Sequence, residues 1–208
     1  MNSQKKVWSS IAEEWDRFKS EKPAEHVQNF LKNSTGNILD LGSGSGRHLS
    51  KIKNGKMHLV DFSEKMIEFA KKKAEKEKIN AEFYVSGMTS LPFKENFFDG
   101  AIVIASLHCI KGEKNRKKAI SEIFRVLKPK AEAEIAVWNK NSKRFIKSKK
   151  EKYIKWRDKG KRYYYLFGED EIHRLFKEAG FKIKKVLNSE RNIIFIAEKP
   201  QNLAKRSG

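Results

Sequence analysis

The sequence predicts an α/β domain built on a mostly parallel sheet with helices on both faces. Short apolar runs alternate along the chain with amphipathic segments, the rhythm of strand–helix–strand units. One run, "NILDLGSGSGRHLSKI", passes from strand character straight into alternating glycines. Two further strands close the chain after the rhythm has been interrupted once. Its 208 residues fit a single domain, residues 1–208, with 1–36 as an N-terminal helical extension and 139–167 as a basic, aromatic insertion.

In chain order, "VWSSIAEEWDRF" sets Trp8, Ile11, Trp15 and Phe18 at helical spacing. "NILDL", "MHLVDF", "AEFYVSG", "DGAIVIA" and "AEIAVW" read as strands. "SEKMIEFAKKKAEKEK" and "EKNRKKAISEIFRVL" read as helices between them. After Trp138 comes "NKNSKRFIKSKKEKYIKWRDKGKRYYYLF", then a helix "EDEIHRLFKEAG" ended by Gly180. The last strands are "FKIKKVL" and "NIIFIAEK", the second expected at an edge or as a hairpin partner.

Lys and Arg total 46 against 26 Asp and Glu, a net charge of +20. Such an excess favours nucleic acid or an anionic membrane surface as partner, although a merely Lys-rich solvated surface gives the same total. Cys109 is the only cysteine, which excludes an intrachain disulfide and suits a reducing, cytoplasmic compartment. His26, His48, His58, His108 and His173 lack ligand spacing, so no metal is expected. "GAIVIASLHCI" is shorter than the ~20 residues of a membrane helix, and the opening "MNSQKKVW" lacks a signal-peptide core. No membrane association is expected.

Asp40, Gly42, Gly44 and Gly46 form D-x-G-x-G-x-G where a strand ends and a helix is expected to begin. Glycine permits positive φ and lets a ligand lie against the main chain, and a helix N-terminus adds free N–H groups. The spacing is not the dinucleotide fingerprint G-x-G-x-x-G. Asp61 ends the second strand, where a carboxylate can accept both hydroxyls of a ribose. A tight turn without ligand is the bland alternative.

With these motifs the chain resembles the class I S-adenosylmethionine-dependent methyltransferases. The resemblance implies their Rossmann-like fold, here seven strands with the C-terminal one antiparallel, and S-adenosylmethionine as cofactor. It places Asp40, Gly42, Ser43, Gly44 and Gly46 along the methionine moiety and Asp61 and Phe62 at the ribose. Gly87, Met88 and Ala105 fall at the adenine and the end of strand four. "LPF" and the "FD" before "GAIVIA" extend the likeness. Gly87 stands where relatives carry an aspartate for the adenine amino group, and "KPKA" replaces a K-P-G-G turn. Losing one such acceptor costs about 0.5 to 1.5 kcal/mol, which weakens cofactor binding without abolishing it, and the Met88 N–H remains for the ring.

The insertion carries Lys140, Lys143, Arg144, Lys147, Lys149, Lys150, Lys152, Lys155, Arg157, Lys159, Lys161 and Arg162 against only Glu151 and Asp158. Phe145, Tyr153, Trp156 and the run Tyr163, Tyr164, Tyr165 interleave it. Cations displace counterions from phosphates and rings stack on unpaired bases, a combination that suits single-stranded or loop RNA. A solvated, partly helical lid with its rings in the core is the competing reading.

"IAVW", "RYYYLFGEDEI" and "SERNIIFIAEK" resemble the tRNA wobble-uridine methyltransferases of archaea and eukaryotes, which esterify a carboxymethyl group on the uracil. That resemblance implies the tRNA anticodon loop as substrate and a small zinc-binding activator subunit as partner, added at the sheet edge formed by "AEFYVSGM". It assigns His108 to hydrogen-bond the acceptor, Trp138 or Tyr164 to stack on the base, and Arg162, Arg191 and Lys19 to hold the carboxylate or a nearby phosphate. A carboxylate is already ionised at neutral pH, so the reaction needs alignment and desolvation but no general base. Other RNA methylation, a quinone-precursor methyltransferase and a noncatalytic RNA-binding protein on the same scaffold are the rival readings.

Overall fold

The computed structural model describes residues 3–19 and 23–201. Its helices are α1 (Ser3–Lys19), α2 (Glu25–Lys32), α3 (Glu64–Glu77), α4 (Glu113–Val126) and α5 (Glu169–Glu178). The strands are β1 (Thr35–Leu41), β2 (Lys53–Asp61), β3 (Ala81–Val85), β4 (Phe98–Ile104), β5 (Leu127–Trp138), β6 (Glu151–Lys155), β7 (Lys161–Tyr165), β8 (Lys182–Leu187) and β9 (Asn192–Glu198). Seven of them form one sheet in the order β3-β2-β1-β4-β5-β9-β8. β1 to β5 run parallel, and β9 runs antiparallel to both β5 and β8.

Strand alternation divides the interior in two. Leu39, Leu41, Ala101 and Val103 point into one core with Ile120 and Ile123 of α4 and Ile172 and Phe176 of α5. Their neighbours Ile38 and Ile102 point into a second, with Val27 and Leu31 of α2 and Ala70 and Ala74 of α3. Helices therefore cover both faces, as a parallel sheet requires. Of the two places expected for β9 it takes the hairpin partner's: it pairs antiparallel with β8 and lies between β5 and β8, with Ile193, Ile194, Phe195 and Ala197 all buried. The outer place falls to β8, whose Lys182, Lys184 and Lys185 keep that edge charged.

The helix expected after the glycine loop is absent. Gly42, Gly44 and Gly46 all hold positive φ, at 75°, 55° and 80°, which a right-handed helix cannot include. Turns continue instead, with Gly46 N–H donating to Ser43 O and Leu49 N–H to Gly46 O, both at 3.1 Å. Leu49 and Ile52 fill the space where a helix would pack.

The insertion is a loop followed by a separate hairpin, β6 paired antiparallel with β7. Phe145, Tyr163, Tyr164 and Tyr165 are buried, so the rings of the tyrosine run belong to the core. The hairpin is wedged between two layers. The Arg116 guanidinium of α4 lies 3.7 Å over Tyr165 on one side, and Trp8 of α1 meets Tyr164 edge-on at 6.5 Å on the other.

The chain's C-terminal side is pinned by Lys199, whose Nζ donates to Asn96 Oδ1, Phe124 O and Leu127 O at 2.8 to 2.9 Å. Lys199→Ala leaves these acceptors without a donor and is expected to cost about 3 kcal/mol in urea unfolding, since charge-assisted bonds contribute about 1.5 to 3 kcal/mol.

Candidate active site

The carboxyl ends of β1, β2 and β4 converge on the glycine loop. Gly42 and Ser43 N–H both donate to Val60 O, at 2.8 and 3.1 Å, and Gly44 N–H donates to Asp61 Oδ2 at 3.0 Å. The loop is thereby tied to the end of β2. Gly42 and Gly44 are glycine for different reasons. A Cβ on Gly42 would meet Ser106 Cβ at 2.4 Å and Met88 Cε at 2.8 Å, so packing excludes a side chain. A Cβ on Gly44 would meet nothing within 4 Å, which leaves open space against a bare backbone, the room a ligand needs. Ala105, just past β4, holds φ 55°, and Ser106 Oγ donates to Leu41 O at 2.8 Å. Such strain is maintained where the surroundings over-determine a site.

Two buried carboxyls face this space. Asp40 is 1% exposed and its Oδ2 has no partner. Burial, then the charge of Asp61, pushes its carboxyl up to about 8. Asp61 is raised to about 6 by burial, partly offset by N–H groups of Ser63, Gly44 and Phe62. An orphaned carboxylate oxygen and a second carboxylate with lone pairs to spare fit a cationic nucleoside: an ammonium or sulfonium for Asp40, ribose hydroxyls for Asp61. Gly87 has open space beside it, and Met88 lies against Gly42. A separate groove of about 900 Å³, lined by His26, Phe30, Glu134 and Ile194 among others, contains none of these groups.

Beyond the loop, the structure brings together four of the six acceptor-side candidates. His108, in a 3-10 turn (Leu107–Cys109), is 1% exposed. Its Nδ1 accepts the Trp138 N–H at 3.1 Å, which puts the ring proton on Nε2. Burial lowers its pKa to about 3, so the imidazole is a neutral donor. Trp138 stacks on Tyr164 at 4.3 Å and on Phe145 at 5.0 Å. Tyr164 accepts from Arg162 Nη1 at 2.7 Å and is 1% exposed. Tyr164 thus spends its ring on Trp138, a correction to its expected availability for a base. Arg191 is exposed between β8 and β9, and its carbonyl accepts the Asn139 N–H beside Trp138 at 3.2 Å. The side chain of Lys19, with Ser20, Glu21 and Lys22 after it, lies outside what the structure describes. The sequence reading missed α1 as a wall: Ser9 Oγ meets Ser63 Oγ at 3.0 Å, next to Asp61. The stripe of Trp8 and Trp15 was the available signal.

Residues 38–130 match the family model of a methyltransferase domain. A Methanosarcina mazei structure described as a S-adenosylmethionine-dependent methyltransferase superposes with TM-score 0.71 at 25% identity, over 88% of this chain and 100% of that one. Over residues 38–130 the chain carries a methyltransferase domain, and its likeness is to the S-adenosylmethionine-dependent enzymes. S-adenosylmethionine, when bound, supplies a methyl group on a positively charged sulfur. Among curated relatives, a tRNA (carboxymethyluridine(34)-5-O)-methyltransferase of Arabidopsis thaliana is 38% identical over 49% of this chain and 24% of its own length. The ubiquinone/menaquinone biosynthesis C-methyltransferase UbiE of Wigglesworthia glossinidia brevipalpis is 37% identical over 53% and 46%. The chain thus spans a quarter to a half of the length of these relatives. A structure described as a complex between the Haloferax volcanii Trm112 methyltransferase activator and the putative methyltransferase shares the fold, with TM-score 0.72 at 16% identity over 96% of this chain and 99% of that one.

The two raised carboxyls give this methyltransferase a pH signature. A cationic ligand favours their ionised forms, so cofactor affinity is expected to rise from about pH 6 to about pH 8, with proton release on binding below that range's upper end. Calorimetry in buffers of differing ionisation enthalpy measures both; a flat affinity with no proton release refutes the assignment of Asp40 and Asp61.

Proposed function

We propose that the protein methylates the carboxylate of a carboxymethyl-type uridine at the wobble position of a tRNA anticodon loop, producing a methyl ester. The observation that carries this reading is His108. A neutral imidazole with Nδ1 engaged and Nε2 protonated can donate a hydrogen bond but is a poor base. Carboxylate methylation needs no base: an oxygen lone pair forms the bond to the methyl carbon while the carbon–sulfur pair returns to sulfur, and no proton moves. Carbon methylation, suggested by the likeness to UbiE, needs a group to accept a proton, and His108 does not offer one.

In this reading Asp40, Asp61 and the Gly44 backbone hold the cofactor, His108 Nε2–H donates to the acceptor oxygen, and Trp138 walls the base. Arg162 and Arg191 supply positive charge to the carboxylate and adjacent phosphates. The likeness to the Arabidopsis thaliana enzyme supports the tRNA substrate. Among the rings of the insertion, Tyr153 is the one left substantially exposed, at 49%, with Lys111 Nζ 5.8 Å from its centroid. It replaces Tyr164 as our candidate for stacking on an unpaired base. The partner we propose is a small zinc-binding activator at β3, an edge strand with Val85 exposed and the part-buried rings of Tyr84, Phe93 and Phe97 beside it. The fold shared with the subunit of the Haloferax volcanii Trm112 complex supports that choice.

With carboxymethyluridine-bearing anticodon loops and saturating cofactor, single-turnover rates are expected to be flat near neutral pH, and the product to release methanol in mild alkali. His108→Ala is expected to slow the step without adding a pH limb. An alkali-stable methyl group in the product sinks the ester reading and leaves RNA methylation standing.

Tyr153→Ala is expected to weaken binding of the same loops by about 1 to 3 kcal/mol, the value of one base–aromatic stack. Fluorescence anisotropy reads this, and unchanged affinity assigns Tyr153 to the surface alone.

A further inference from the structure

The loop between β5 and β6 leaves the sheet beside the proposed acceptor wall. β1, β4 and β5 run parallel, so the carboxyl end of β5 lies on the same side as the glycine loop. Past Trp138 the chain folds back on itself in hydrogen-bonded turns. Ser142 N–H donates to Asn139 O, the N–H groups of Phe145 and Ile146 both donate to Ser142 O, and Ser148 N–H donates to Phe145 O. Side chains tie it further: Lys140 Nζ donates to Ile146 O at 2.9 Å and Lys152 Nζ to Ser148 Oγ at 3.1 Å. Ser142 and Phe145 are buried, and the Phe145 ring stacks on Trp138. The loop thus has an inner face packed on Trp138 and an outer face of fixed shape.

That outer face is Lys143, Arg144, Ile146, Lys147 and Lys149, all exposed. No Asp or Glu occurs between Trp138 and Glu151. Among the described residues no ion pair joins these four cations to a carboxylate, whereas Lys150, next in line, pairs with Glu171. Ile146 stands 56% exposed in their midst, and of the five large apolar side chains exposed among the described residues it is the one outside any helix or strand.

A lone exposed isoleucine is ordinary. This one is fixed by backbone bonds and by Lys140, one residue from a ring that stacks on Trp138, and is ringed by cations without counter-ions. Such cations recruit phosphates, and an apolar side chain among them gains from an apolar surface that arrives with the phosphates. The face of an unstacked base is that surface. Apolar wedges of this kind enter base steps and hold them apart.

We propose that Ile146 is a wedge that takes the place in the anticodon-loop stack next to the base drawn toward Trp138, and so keeps the acceptor nucleotide turned out. Lys143, Lys147 and Lys149 hold the flanking phosphates. The proposal rests on the reading of an RNA loop as substrate. It makes Ile146 a positioning residue, separate from Tyr153 on the hairpin, and it disfavours paired RNA, whose stack a side chain enters only at the cost of broken pairs.

The test uses the full chain saturated with S-adenosylhomocysteine and an anticodon stem-loop RNA bearing 5-carboxymethyluridine, with 2-aminopurine in place of the nucleotide 3′ to it. This base analogue brightens when it loses a stacking neighbour. Wild-type binding is expected to raise its fluorescence several-fold at saturation. Ile146→Ala is expected to remove most of that rise, to weaken binding several-fold and, with S-adenosylmethionine supplied instead, to slow single-turnover methylation. Cofactor affinity and melting temperature stay unchanged, and Ile146→Leu, which keeps an apolar wedge, restores the three effects. Lys147→Gln is expected to weaken binding yet leave the fluorescence of the saturated complex at the wild-type level. A full rise in saturated Ile146→Ala, or wild-type RNA bound without a rise, overturns the wedge and leaves the ester reading standing. A wild type that binds no such RNA refutes that reading, and the wedge with it. Phosphatidylserine vesicles bound by the wild type and released by Ile146→Ala, with RNA binding unaltered, assign the residue to lipid and overturn the proposal.

Discussion

The structure is organised around two carboxyls kept out of water at adjacent strand ends. Burial raises both, and the charge of Asp61 adds to the cost of ionising Asp40 because β1 and β2 run parallel and in register, Asp40 beside Leu59 and Leu41 beside Val60. Val60 O then captures the first two amides of the glycine loop, and Asp61 captures the third. A loop held this way cannot coil into a helix, and it leaves a strip of backbone with nothing lying over Gly44. The burial of Asp40 is a liability without a ligand. Its folded pKa is raised above the ordinary value, so the contribution it makes to stability is full below about pH 4 and is lost as pH rises through about 8. A bound cation reverses that loss, which couples folding of the loop to cofactor occupancy.

Around this centre the wall proposed for the acceptor is assembled from three distant parts of the chain. The 3-10 turn after β4 supplies His108, the end of β5 supplies Trp138, and the β6–β7 hairpin supplies Arg162 and Tyr164. One backbone hydrogen bond, Trp138 N–H to His108 Nδ1, sets the imidazole's tautomer and so decides that it donates. Burial removes its capacity to titrate near neutrality. A site with a neutral imidazole donor and a desolvated cation is suited to an acceptor that arrives already anionic.

The positive charge of the insertion has a more mixed purpose than its density implies. Lys150 pairs with Glu171, and Arg157 and Lys159 pair with Glu14. These cations fasten the hairpin to α5 and α1. Arg144 lies over Trp138 and Phe145 at 5.4 and 5.0 Å, closing the aromatic column from above. Part of the basic run is therefore structural, and Tyr153 with Lys111 remains as the open face.

The sequence by itself determined the seven strands, their parallel arrangement, the glycine loop and the two acids, because each is written in local pattern: period, glycine spacing, a carboxylate at a strand end. Family likeness in "ASLHCI", "IAVW" and "RYYYLF" grouped His108, Trp138, Arg162 and Tyr164 with Arg191 and Lys19, and tertiary structure brings the first four together while Arg191 stays exposed. The sequence could not give the absence of a helix after Gly46, since that follows from three positive φ values and from Leu49 and Ile52 filling the second core. It left β9 open between an edge and a hairpin partner, because amphipathic alternation records two environments without saying what covers them; pairing with β5 and β8 decided it. Nor could it tell stacking rings from buried ones. Tyr163, Tyr164 and Tyr165 are interleaved with cations in sequence, but α1 and α4 close over opposite sides of the hairpin. Only that long-range packing turned Trp8, Trp15 and Trp156 into a cage around Arg162.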